Sequence, residues 1–116
     1  MKKIFHLATC KTCQRVLKEL NPGDEIELRE IKSEGIRPEE LDAMKELAGS
    51  YEALFSRRAM KYRSMGLNEM ELSESDYRKY ILEEYTFLKR PVVVIDDQIF
   101  IGSAKKQVQG AKEAMG

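Results

Sequence analysis

Only two cysteines occur in this chain, and they fall three residues apart as Cys10-Lys11-Thr12-Cys13. Their surroundings constrain the fold as much as their spacing. Lys3-Ile4-Phe5-His6-Leu7 reads as a short strand just before them. Lys11 to Leu20 reads as a helix with Val16, Leu17 and Leu20 on one face, stopped by Asn21-Pro22-Gly23. Cys10 is thus expected at a strand-to-helix turn, where the first helical N–H groups lack partners and the helix dipole favours an anion. A thiol held there has a lowered pKa and supplies thiolate near neutral pH. Cys13, one helical turn on, is expected to be the more buried of the two and placed to resolve a mixed disulfide. Two other readings stand beside this redox pair: half of a metal site, or two structural thiols buried as small hydrophobes. A structural zinc takes four ligands, and His6 is the only other soft donor, so no metal is expected. His6 itself reads as a strand residue rather than a general base.

The remaining elements follow from period and punctuation. Residues 24–31 alternate at Ile26 and Leu28 as a second strand. Pro38 suits a first helical position, with Leu41, Met44 and Leu47 following at helical spacing. Tyr51–Phe55 and Arg57–Met65 read as two short helices. Ser73-Glu74-Ser75-Asp76 is expected to cap a helix whose Tyr77, Tyr80, Ile81 and Tyr85 share one face, as core rather than as a ligand box. After Arg90-Pro91, the run Val92-Val93-Val94-Ile95 has the continuous apolar character of a buried strand. Asp96-Asp97 turns it into Gln98–Ile101. Ser103 is then expected to cap a last helix with Ala104, Val108, Ala111 and Met115 inward, frayed at its end by Gly110. The order is β-α-β, a helical block at about 36–86, and β-β-α, read as a single domain spanning 1–116.

Composition narrows the class of function. The 116 residues suit one domain, and 34% charged against 42% apolar residues is a soluble globular balance. Twenty Lys+Arg offset twenty Asp+Glu, which argues against gripping nucleic acid or an anionic membrane through bulk charge. No apolar run approaches the ~20 residues that a bilayer requires. Met1-Lys2-Lys3 followed by Leu7-Ala8-Thr9-Cys10 has the outline of a lipoprotein signal, but its apolar stretch falls short of the ~7–15 residues of a signal core. It reads as the first strand, and a cytoplasmic location is expected.

With C-x-x-C between its first strand and helix and a proline opening the third strand, this order resembles a thioredoxin-like fold, which carries a cis-proline beside the redox cysteines. The segment L-F-S-R-R-A-M-K-Y-R at 54–63 resembles the L-F-N-T-R-G-x-x-Y-R of the arsenate reductase-like family, which includes the Spx transcription regulators. R-P-V-V-V at 90–94 and I-G at 101–102 fit that family too, so the likeness spans nearly the whole chain. It implies that Cys10 is the redox cysteine, that Arg58 and Arg90 are family arginines, and that the Arg90-Pro91 bond is cis. Thr12 and Pro91 would line the substrate pocket. Physically, both arginines offer permanent planar donors for an oxyanion or a thiolate. Arg57, Arg58, Lys61 and Arg63 also read as a solvated basic face. The sequence departs from the family at Arg57, Ala59 and Ala8-Thr9. The third oxyanion-binding arginine of the glutathione-linked arsenate reductases has its place near Gly102.

Two functions follow from the resemblance. One is a thiol-dependent oxidoreductase that binds no cofactor and draws electrons from an external donor, glutathione with glutaredoxin or thioredoxin. The other is a redox-sensing regulator that binds RNA polymerase, without direct nucleic-acid contact, and uses the cysteine pair as its switch.

Overall fold

The computed structural model describes all 116 residues. In chain order the elements are β1 (Lys2–His6), α1 (Lys11–Leu20), β2 (Glu27–Glu30), α2 (Pro38–Ala48), α3 (Met60–Ser64), α4 (Glu74–Glu83), β3 (Val92–Ile95), β4 (Gln98–Ile101) and α5 (Lys105–Met115). They separate into two compact units. One joins Met1–Gly35 to Arg90–Gly116, and the other is the intervening Ile36–Lys89. No helix is long and apolar enough to cross a membrane.

The first unit is built on a four-stranded sheet in the order β2-β1-β3-β4. β1 runs parallel to β2, with Ile4 opposite Leu28, and antiparallel to β3, with Ile4 opposite Val93. A parallel pair needs a crossover, and α1 supplies it. Ile4, Val93 and Ile95 pack with Val16 and Leu20 of α1, Val108 and Ala111 of α5, and Ile26. All four residues of β3 are buried, as the unbroken apolar run requires. α1 ends as expected: Asn21 takes the left-handed conformation at φ +45° and donates its N–H to the Leu17 carbonyl.

Three expectations in this unit are corrected. In β2, Leu28 is 46% exposed while Arg29 is only 5% exposed. β2 is an edge strand, and Ile26 closes the core there, leaving Leu28 at the margin. Arg29, opposite Phe5, is tolerated inside because its guanidinium donates to the Gly35 carbonyl and pairs with Glu27 and Glu34. At α5 the N-cap is Ala104, not Ser103, and Ala104 is exposed rather than inward. The Gln107 side chain instead accepts the Ile101 N–H at 3.1 Å, joining the first turn of α5 to β4. Gly110 lies inside α5, which continues to Met115. A Cβ at position 110 would lie 2.7 Å from the Phe100 ring, so glycine is what lets α5 approach β4 so closely.

In the second unit α2 begins at Pro38, and the Glu40 carboxylate accepts the Arg37 N–H at 3.0 Å. Leu41 and Met44 are buried and Leu47 half-buried. The helix expected at Tyr51–Phe55 is a single 3-10 turn, Glu52–Leu54, because Glu74 accepts the Tyr51 and Glu52 N–H groups and fixes its start. The one expected at Arg57–Met65 is confined to α3. Ser73 and Asp76 cap α4 reciprocally. That helix stops at Glu83, so Tyr85 leaves its face and opens a 3-10 turn, Tyr85–Phe87. Phe55 stacks on Phe87 at 5.1 Å and tilts against Tyr77 at 4.9 Å, making the aromatic residues the core of this unit.

Candidate functional site

Cys10 is the N-cap of α1, with extended backbone at φ −84° and ψ 115°. Its N–H donates to the Leu7 carbonyl at 3.0 Å, closing a turn, and its own carbonyl accepts the Gln14 N–H at 3.0 Å. That geometry places Cys10 at the free N–H groups of the first helical turn, with no capping hydrogen bond from its side chain. Partial burial raises the Cys10 pKa. The backbone N–H and thiol of Cys13, the Thr12 N–H and the Arg90 guanidinium oppose this and together bring its pKa below the ordinary value, although the sulfur accepts no capping hydrogen bond. Cys13 behaves oppositely. Burial pushes its thiol up to about 11, aided by the adjacent Cys10 charge and opposed by the Leu7 N–H and Arg90. Both cysteines are free thiols, Cys10 half-buried and Cys13 buried.

Arg90 comes to this site from the far end of the chain, just before β3. The Arg90-Pro91 bond is cis, and Pro91 is buried. The Arg90 Nε is buried without a hydrogen-bond partner. Cys10, Cys13, Arg90 and the Thr12 backbone are thus brought together, while the Thr12 residue itself is exposed. The Pro91 carbonyl accepts the Gly102 N–H at 2.9 Å, so the one group glycine offers at that position is already occupied. Gly102 has φ +86°, a left-handed backbone in which an arginine is strained. His6 ends β1, and its carbonyl accepts the Ile31 N–H at 2.9 Å.

Arg58 belongs to the second unit, exposed in the turn before α3 with its N–H near Ser56 Oγ. Within the same basic run, Arg57 pairs with Glu52 at 2.7 Å and donates to the Tyr77 hydroxyl, and Lys61 pairs with Glu84.

Two residues beside Cys10 escaped the sequence reading. Glu30, the last residue of β2, accepts the Ala8 N–H at 2.7 Å. Gln14 of α1 donates to the Ala8 carbonyl at 2.6 Å. Neither carries a mark in the sequence: one is among twenty acidic residues, and the other is an ordinary polar helix position.

The ArsC family model matches residues 5–111. An arsenate reductase from Vibrio cholerae is similar in structure, with a TM-score of 0.76 and 23% identity over 95% of this chain and 96% of its own. A Staphylococcus aureus protein gives 0.77 and 24% over 95% and 97%. An arsenate reductase related protein from Brucella melitensis gives 0.71 and 21% over 94% and 92%. At these identities the likeness speaks for the fold, which is the mixed α/β, thioredoxin-like fold that the sequence resemblance implied. No curated protein sequence matches the chain significantly.

Proposed function

The chain belongs to the ArsC family, and from that premise we propose that it is a thiol-disulfide redox protein with Cys10 as nucleophile and Cys13 as resolving thiol. The carrying observation is the contrast between their places: Cys10 is the half-buried N-cap of α1, where the first-turn N–H groups and Arg90 lower its pKa, while Cys13 is buried one turn on and burial pushes its thiol up to about 11. In the proposed cycle the Cys10 thiolate attacks one sulfur of a substrate disulfide, forming a mixed disulfide and releasing a thiolate. Cys10 then carries no charge, which removes one of the causes that raise Cys13. Cys13 gives its proton to the thiolate released in the first step and attacks the Cys10 sulfur, so the Cys10–Cys13 disulfide forms and the second substrate thiolate leaves. Two electrons pass from the pair to the substrate, and an external thiol donor, glutathione with glutaredoxin or thioredoxin, returns them in the cytoplasm.

Arsenate is the poorer substrate in this reading. An arsenate anion beside a thiolate needs compensating positive charge, which arginine forks supply with direction. The third family position falls near Gly102, whose N–H is bonded to Pro91. One missing charge-assisted contact of ~1.5–3 kcal/mol corresponds to roughly 10- to 150-fold in binding. The test has two parts. Thiol counting by mass after mild peroxide is expected to show loss of two hydrogens, recovered with dithiothreitol; independent oxidation of each thiol would refute the pair. Steady-state arsenate reduction, with glutathione plus glutaredoxin and separately with thioredoxin, is expected to be weak or absent for wild type, Arg58→Ala and Arg90→Ala. Wild-type turnover comparable to a three-arginine reductase would refute the charge reasoning.

A further inference from the structure

We infer that Glu30 and Gln14 are positioning residues for the Cys10 nucleophile, gripping the Leu7–Cys10 turn by both polar groups of Ala8; this rests on the redox reading of Cys10. The turn sets where Cys10 enters the helix, because Cys10 donates its N–H back to Leu7. The sulfur accepts no capping hydrogen bond, so what it gains from the Thr12 and Cys13 N–H groups depends on where the turn holds it relative to them, since such interactions weaken steeply with distance and angle. Those donors are fixed in α1, so the free variable is the turn.

Two different elements clamp it. Gln14 reaches back from α1 to the Ala8 carbonyl at 2.6 Å, and Glu30 reaches from the end of β2 to the Ala8 N–H at 2.7 Å. Glu30 is itself immobilised. Its other oxygen accepts the Ser33 N–H at 2.7 Å and the Ser33 hydroxyl at 2.9 Å, and its N–H donates to Glu34 at 3.1 Å. These contacts, the Ala8 N–H foremost, hold the Glu30 carboxyl down to about 2, so the clamp stays charged wherever a thiol titrates. Glu30 brings a carboxylate to the turn that carries Cys10, and a nearby negative charge by itself opposes a lowered thiol pKa. Its contribution is therefore geometric, and the sign of its effect separates the two explanations.

The experiment measures iodoacetamide modification of Cys10 against pH, identified by peptide mass, in the full chain and in Glu30→Ala, Glu30→Gln and Gln14→Ala. Loss of the clamp in Glu30→Ala and Gln14→Ala is expected to raise the Cys10 midpoint by ~0.5 pH unit or more, about a threefold loss of thiolate near neutrality. Glu30→Gln keeps an acceptor for the Ala8 N–H and is expected to restore most of the wild-type midpoint. Gln14 is exposed on a helix and alanine is a better helix former, so that variant decides the matter if Glu30→Ala does not fold. A lowered wild-type midpoint that stays unchanged, or falls, in the alanine variants would overturn the positioning role alone. An ordinary wild-type midpoint would overturn the redox reading, and this inference with it.

Discussion

Cys10 and Cys13 share one helix start yet are driven in opposite directions, because what reaches each sulfur differs. The helix-end N–H groups and Arg90 lower the Cys10 pKa against its partial burial, while at Cys13 burial is the largest cause and raises it. Iodoacetamide should therefore modify Cys10 at pH values where Cys13 is inert, and faster modification of Cys13 would reverse their roles. Arg90→Ala removes a donor and a cation from the Cys10 sulfur and should raise its midpoint by up to ~1 unit, with Arg90→Lys intermediate because a lysine lacks the fork. An unchanged midpoint in the alanine variant would mean that the N–H groups act alone. At this scale the sequence was legible for Cys10, since capping logic is local. Arg90 was legible only through family resemblance, and Glu30 and Gln14 not at all.

Elements were readable where a signal lies within one turn of the residue it controls. Ser73 and Asp76 are three apart and form the expected reciprocal cap. Ser103 looked equally suited, but the Ile101 N–H is bonded to Gln107, and Ala104 caps α5 with its backbone alone. Urea denaturation should separate the two serines: Ser73→Ala is expected to cost about 1 kcal/mol, and Ser103→Ala less than ~0.5 kcal/mol. Equal losses would put the cap at Ser103 after all. Gly110 is the converse case. Helix propensity alone says alanine would stabilise by about 1 kcal/mol. The new Cβ would meet the Phe100 ring at 2.7 Å, and Phe100 packs on the core cluster. Overpacking of this kind costs ~1–3 kcal/mol, so Gly110→Ala should lower stability in the same measurement. A gain would show that the ring moves aside freely.

Across the whole molecule, carboxylates in both units are held below their ordinary range. Glu30, bonded by the Ala8 N–H, and Asp42, bonded by Arg78, both lie at about 2. Asp76, through the Ser73 N–H, and Glu84, through Lys61, are lowered too. For such groups the unfolded chain takes up protons first as pH falls. Their stabilisation is complete above the ordinary values of 4.5 for Glu30 and 3.8 for Asp42, and is lost as pH falls towards about 2. Thermal melts followed by circular dichroism should show the midpoint dropping between about pH 5 and pH 2.5, with a shallower acid limb in Asp42→Asn. Parallel curves for variant and wild type would remove Asp42 from this account. The sequence by itself determined the order of strands and helices, the buried β3 and the N-terminal station of Cys10, because periodicity, caps and apolar runs act between near neighbours. Tertiary structure alone decided that Arg29 goes inside, that Phe100 requires a glycine at 110, that Arg90 meets Cys10 and that Glu30 and Gln14 grip Ala8. Each of these depends on the register of the sheet and the seating of the helices on it, which bring together side chains whose own neighbours in the chain carry no trace of the meeting.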